Sequence, residues 1–446
     1  MEKKYFIKTF GCQMNAYDSE QISALLEGEG YEFTGNAQKA DVIILNTCSI
    51  REKAAQKVYS ELGRFKEFKK QNPGMIIGIG GCLAQQWGKG FFKKAPHLDL
   101  VFGTQTLHRL PELINNVTQS CRQVVATELR GNAEPVRIPT RPRPKQISAY
   151  VTIMQGCNNF CSYCIVPYLR GPEVSRNLKD IREEVERLAG QGIKEVTLLG
   201  QNVNSYGKAL SEQINFAGLL REIAQIEGIE RIRFTTSHPK DLSTDLMDCF
   251  ANIDKLCEHI HLPVQSGSDA VLERMNRGYK KSDYLEKIAS LREHCPEISI
   301  TSDVIVGFPG ESDADFHNTI DLMQEIRFDN LFSFKYSERE GTAAARFAAK
   351  ISDGSKSERL RILQSLQEEH TWEKNRQLVG RPVEILVEGR SKNSAGEMMG
   401  RTRTNKIVNF KGNSQLIGKV VTVFVAEAFL HSLHGELQAK KEIDRC

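Results

Sequence analysis

Short apolar runs alternate with amphipathic stretches along most of this chain, and that alternation restricts it to α/β sheets built largely from parallel strands. KKYFIKTF, ADVIILNT and GMIIGIG are strand-length. Between them, DSEQISALLEGEG and SIREKAAQKVYSELGRFKEFKK carry apolar residues at 3–4 spacing behind a capping Asp or Ser. This block, 1–130, reads as an open parallel α/β sheet. The segment GNAEPVRIPTRPRPKQ (131–146) holds four of the fourteen prolines and almost nothing to bury, so it reads as an extended linker. The alternation then resumes with six candidate strands: ISAYVTIM, KEVTLLG, RIRFTTS, HIHLPV, ISITSDVIVG and NLFSFKYS. Six β/α units predict a TIM-like barrel short of the full eight, with SERLRILQSLQEEHTWEKNRQ as an exit helix, together 147–375. From 376 to 446 the pattern changes to short strands with Gly-bearing turns, expected to close as a small antiparallel β-barrel.

The chain has eleven cysteines, no N-terminal apolar segment of the secretory kind and no apolar run near the roughly 18 residues of a membrane helix. In a reducing compartment such cysteines serve as metal or redox ligands more often than as disulfides. Cys157, Cys161 and Cys164 form a C-x3-C-x2-C set directly after the first barrel strand. Three thiolates from one short loop can hold three corners of a cubane iron–sulfur cluster and leave one iron open, whereas the fully ligated cluster takes four. Zinc sites usually pair C-x2-C elements to reach four ligands, and no second pair is present here. The position also fits, because β/α barrels carry their chemistry at the C-terminal ends of the strands. Polar strand ends recur there: Gly200-Gln201-Asn202, Ser237-His238, Gln265-Ser266-Gly267 and Gly307 through Glu311. Each of these taken singly also reads as a tight turn.

Cys12, Cys48 and Cys82 end the three candidate strands of the first block, two of them directly after Gly. Strand carboxyl ends line one edge of an open parallel sheet, so three distant cysteines are expected to converge on a second cluster with an open iron. Cys121, Cys249, Cys257, Cys295 and Cys446 share no such placement and read as structural or incidental. In the last block, twelve Lys and Arg against seven Asp and Glu leave a net +5, while the whole chain carries +4. Arg401, Arg403, Lys406 and Lys411 alternate along GRTRTNKIVNFK, flanked by Arg390 and Lys392. This is either a solvated strand face or a row facing RNA phosphates, with Phe410 available to stack on a base.

The C-x3-C-x2-C loop resembles the hallmark of the radical S-adenosylmethionine (SAM) superfamily. The three-block order is similar to the methylthiotransferases, whose last block is the RNA-binding module called TRAM. TFGCQMN, NTCSIREKAAQKVYSELG, GGCLAQ, QGCNNFCSYCIVPYLRGPEVSR and HLPVQSGSDAVLERMNRGY most resemble the branch known as the MiaB family. Pro172 is a minor departure from its wording. The resemblance implies two [4Fe–4S] clusters, on Cys12/Cys48/Cys82 and on Cys157/Cys161/Cys164. SAM would bind the open iron of the second, beside Tyr163, Arg176, Gln201, Gln265, Gly307 and Glu311. It implies a tRNA anticodon stem-loop as substrate, with methylthio transfer to carbon 2 of an isopentenylated adenosine 3′ to the anticodon. One SAM would methylate sulfur and a second would supply a 5′-deoxyadenosyl radical. It further implies RNA contacts from Arg401, Arg403, Lys406 and Lys411. A flavodoxin-type electron donor and a cytoplasmic monomer without membrane association are expected, and the sulfur donor stays open. A ribosomal-protein substrate is the rival reading, and would suit a more acidic last block. An RNA-binding protein with sensing clusters is a further alternative.

Overall fold

The computed structural model describes residues 2–49, 52–129, 131, 138–139, 142–392, 394 and 396–438, with backbone alone for 52–55. Half of the expected linker (132–137 and 140–141) and Cys446 lie outside the described residues.

The first block is a six-stranded, all-parallel sheet. Its strands are β1 (Lys4–Thr9), β2 (Glu32–Phe33), β3 (Val42–Thr47), β4 (Ile76–Gly81), β5 (Leu100–Phe102) and β6 (Val124–Ala126), in the order β2-β1-β3-β4-β5-β6. Every residue of β3 and β4 is buried, because helices cover both faces. On one face Ile22, Leu26, Leu113 and Val117 pack on Tyr5, Val42 and Leu100, and on the other Leu62, Phe65 and Phe91 pack on Ile43, Leu45 and Ile79. A sheet covered on both faces needs continuous rather than alternating apolar runs, which is the pattern of VIIL and IIGI. β2, β5 and β6 are not among the expected strands; at two or three residues each they are too short to show a period.

The second block is a curved wall of parallel strands. β7 (Ser148–Thr152) is followed by a two-stranded antiparallel ribbon of β8 (Met154–Gln155) and β9 (Val174–Ser175), then β10 (Glu195–Leu199), β11 (Arg231–Phe234), β12 (His259–His261), β13 (Ser299–Val306) and β14 (Asn330–Lys335). The sheets β11-β10-β7 and β12-β13-β14 meet at the Ile232–Leu256 bridge. Among the described strands β7 and β14 are free edges, so the wall is the expected partial barrel. Helices outside it begin on Asn177, Asn215, Ser243 and Ser312, each of which accepts an N-terminal amide on its side chain.

The last block closes as a barrel, β15 (Pro382–Arg390), β16 (Glu397–Thr402), β17 (Ile407–Lys411), β19 (Leu433–Leu437) and β18 (Val420–Ala428), in that order round the ring. One pairing, β17 with β19, is parallel. Phe410 does not stand ready to stack on a base. It shares the inward face of β17 with Val408 and is fully buried in the barrel core.

Three of the four expected RNA-binding cations are also placed elsewhere. Arg403 grips both carboxylate oxygens of Glu258 at 2.6–2.9 Å, and Arg401 pairs with Glu388 at 2.9 Å. Lys406 donates to Asn375 Oδ1 at 2.8 Å and faces Asp329 at 3.6 Å. Arg231 and Arg233 reach back across the same boundary, donating to the carbonyls of Arg401, Thr402 and Arg403 at 2.6–2.9 Å. Arg403 and Lys406 therefore meet acidic residues at the lower rim of the wall and dock the small barrel on it, while Arg401 is held within the barrel by Glu388 of β15. Lys411, Arg390 and Lys392 stay exposed.

Candidate active site

All six cysteines that the sequence singles out line one cleft of about 490 Å³ between the N-terminal sheet and the mouth of the wall. Cys12 takes the N-cap position of the helix Gln13–Gly28 in extended backbone, yet its side chain makes no capping bond. Asn, Asp or Ser would normally cap there, so the thiol is kept for another use. Gly11, at φ +122°, lets Cys48 approach: a Cβ on Gly11 would lie 2.4 Å from the Cys48 Cβ. Gly81, at φ +89°, packs on the Thr47 carbonyl, where a Cβ would sit 2.4 Å from the oxygen. Both glycines precede ligand candidates because only glycine permits the close approach of neighbouring strand ends.

The second trio sits on a loop bounded by the β8–β9 ribbon and anchored by Ser162, whose Oγ donates to the Arg274 carbonyl at 2.8 Å. Two buried arginines serve the two trios. Arg277 Nη1 lies 3.3 Å from Cys161 Sγ and 3.4 Å from Tyr163 Oη, while Nη2 donates to the Pro263 carbonyl at 2.6 Å. Arg170, on the barrel side, reaches the helix Gln13–Gly28 of the N-terminal block and pairs with Asp18 at 2.9 Å, beside Cys12 and Cys82.

Protonation differs among the thiols. The Cys48 side chain hydrogen-bonds Cys12 and, against the effect of burial, brings it down to about 6. Burial pushes Cys82 and Cys157 up, and Cys164 up to about 12. A metal must displace protons from the buried thiols, since the thiolate is the ligand. Among the described residues, no three His, Cys, Asp or Glu side chains converge on the position of a single metal ion.

Buried polar atoms without partners mark where a ligand fits. Gln201 Nε2, Ser237 Oγ, His238 Nε2 and Gln265 Oε1 have none among the described residues, and all four residues line the cleft. Such atoms are costly unless something fills their hydrogen bonds. Gln201 Oε1 accepts from the Gly156 amide at 2.5 Å, which aims its other end inward. Burial brings His238 down to about 2, so it stays neutral, with Nδ1 accepting from the Lys240 amide. Donors, acceptors and paired thiols in one cavity suit a cluster that carries an amino acid-bearing cofactor.

Three expected cofactor contacts do not reach the cleft. Arg176 is buried against Glu184 at 2.7 Å and donates to the Thr152 carbonyl at 2.6 Å. Glu311 turns back on its own loop, accepting from the Gly307 amide and pairing with Arg359, both at 2.6 Å. These are buried ion pairs that hold the wall, and Gly307 packs on Lys356. Tyr163, Gln201 and Gln265 do line the cleft. Sequence reasoning missed Arg170 and Arg277: an isolated arginine carries no signal until its distant partners are known.

The profile described as "Uncharacterized protein family UPF0004" matches residues 4–103, the Radical SAM superfamily matches 151–323 and the TRAM domain matches 376–438. A curated protein of Syntrophus aciditrophicus named tRNA-2-methylthio-N(6)-dimethylallyladenosine synthase is 58% identical over 99% of this chain and 96% of its own length. The protein of that name from Geotalea uraniireducens is 51% identical over 98% of this chain and 99% of its own. In fold, the chain resembles the radical S-adenosylmethionine methyltransferase TsrM from Kitasatospora setae, with a TM-score of 0.57, 15% identity and 77% of each chain covered.

Proposed function

Since the chain belongs to the tRNA-2-methylthio-N(6)-dimethylallyladenosine synthase family of radical SAM methylthiotransferases, we infer that its two cysteine trios hold two separate [4Fe–4S] clusters facing one cleft. The enzyme is a transferase acting on tRNA: carbon 2 of a dimethylallylated adenosine next to the anticodon exchanges its hydrogen for a methylthio group. When bound at Cys157, Cys161 and Cys164, the cluster and SAM supply the one-electron chemistry that an unactivated aromatic C–H bond requires. The single observation carrying the reading is that all six cysteines line one cleft, one trio on each wall.

The chain's own residues orient and enclose. Arg277 holds Cys161 and Tyr163 together, so the aromatic ring is fixed beside the SAM-binding corner. Gln201, Ser237, His238 and Gln265 offer both donors and acceptors to the polar ends of SAM. Cys12, Cys48 and Cys82 hold the sulfur-carrying cluster, and Arg170 neutralises its thiolates across the domain boundary. On this reading residues 1–130 carry sulfur transfer, 147–375 the radical chemistry and 376–446 the RNA contacts, with 131–146 as connector. No helix among the described residues is long and apolar enough to cross a membrane. A flavodoxin-type electron donor and a monomeric enzyme acting in the cytoplasm complete the proposal.

Anaerobic reconstitution tests it. The wild type should carry about eight iron atoms, from two cubanes on three cysteines each. Alanine at Cys157, Cys161 and Cys164 together should halve the iron and abolish 5′-deoxyadenosine formation. Full iron in that variant would sink the assignment.

A further inference from the structure

β14 is one of the two free edges of the wall among the described strands, and it turns Phe332 and Phe334 into the cleft with both rings exposed, 48% and 42%. Leu331, preceding them, points the other way into the core. Scattered exposed apolar residues are ordinary. This pair differs in sharing one strand face and in lining the same cavity as the six cysteines. The surroundings are ordered and polar. His261 sets its ring edge to Phe332, with centroids 6.0 Å apart at 71°, and hydrogen-bonds Thr301 Oγ1 through Nδ1 at 3.0 Å. Its Nε2 lies 3.5 Å from the Asp303 carboxylate, and Pro263 adds apolar surface to the cleft.

We propose that Phe332, Phe334 and Asp303 form the seat of the alkylated adenine, an inference that rests on the function proposed above. A base splayed out of single-stranded RNA is held by stacking on aromatic rings, and two such rings face the cavity here. Alkylation adds an apolar tail to the base, and the rings with Pro263 supply apolar surface for it. It also leaves a single hydrogen on N6. Asp303 accepts that hydrogen, and His261 orients the carboxylate. N6 and carbon 2 lie on the same edge of the purine, on either side of N1, so fixing N6 fixes the reacting carbon. The free edge of the wall leaves β14 unpaired on the side from which an RNA loop can reach the rings. Phe332 and Phe334 thereby determine specificity without taking part in the bond changes.

The experiment uses the full chain, reconstituted, and two anticodon stem-loop RNAs, one with the alkylated adenosine and one without. The wild type should bind the alkylated RNA more tightly and convert it. Phe332→Ala with Phe334→Ala should weaken that binding by about tenfold or more and erase the preference, with KM raised more than kcat is lowered. Phe332→Trp should retain both. Because the rings are exposed, folding is checked by unchanged circular dichroism and iron content. A folded double variant that binds and discriminates as the wild type does overturns the seat and leaves the enzymatic reading intact. A wild type that converts neither RNA rejects the enzymatic reading, and the seat falls with it.

Discussion

Gly11 illustrates how a single residue governs a cofactor site without touching the chemistry. Its φ of +122° and the 2.4 Å approach to Cys48 leave no place for a side chain. Gly11→Ala should therefore push Cys48 away from Cys12, and reconstituted protein should lose about half its iron through the N-terminal site. Iron analysis decides it, and full iron would show that the strand ends can yield. The role of this glycine is partly legible in the sequence: cysteine after glycine at two strand ends signals a crowded turn. Arg170 and Arg277 are not legible, because each acts through partners far away in sequence, Asp18 for one and Cys161 with Pro263 for the other. Arg176 and Glu311 show the converse. Both are expected at the cofactor, yet each has a closer opposite charge, Glu184 and Arg359, and a buried charge settles on its nearest partner.

At the scale of elements, strand period tells which residues share a face but not what that face meets. The α/β order, the six-stranded wall and the small barrel all follow from periodicity and turn residues, whereas β2, β5 and β6 are too short to register. The hairpin β16–β17 is where the limit of periodicity has functional consequences. Arg401, Arg403 and Lys406 are on a shared basic run, but Glu388, Glu258 and Asp329 take them up. Replacing Arg401 and Arg403 with Ala should loosen the docked barrel, lowering the unfolding midpoint, and leave the salt dependence of tRNA binding nearly unchanged. Lys411→Ala with Lys392→Ala should instead reduce the log–log salt slope by about 0.7–0.9 for each phosphate that the variant no longer neutralises. If the arginine pair moves the slope while the lysine pair does not, the phosphates are met on the docking face after all.

For the whole molecule, the cleft joins three blocks, so its functions are separable only in part. Alanine at Cys12, Cys48 and Cys82 should abolish the methylthio product and leave SAM cleavage measurable, because the barrel trio has its own support from Arg277 and Ser162. Loss of both activities in a folded protein would show that the two sites are one. Removing the last block is a different matter, although its distinct composition suggests a detachable RNA-binding module. Arg231 is 1% exposed and pairs with Glu384 at 2.9 Å, and Arg233 is buried beneath Thr402 and Arg403. Asn405, on the connecting turn, lines the same cleft as the cysteines and stands 3.5 Å from His259. Deleting 376–446 withdraws these partners and bares the part of the wall they cover, so the loss lies in the packing and the carbonyl hydrogen bonds along the boundary rather than in the half-exposed Arg231–Glu384 pair. Arg233 keeps Glu195 at 2.9 Å, whereas Arg231 loses the Glu384 carboxylate. The truncated chain should thus lose thermal stability and SAM cleavage together with tRNA binding. A truncated chain that melts with the full-length protein and cleaves SAM at its rate would mean that the small barrel is only appended to the wall.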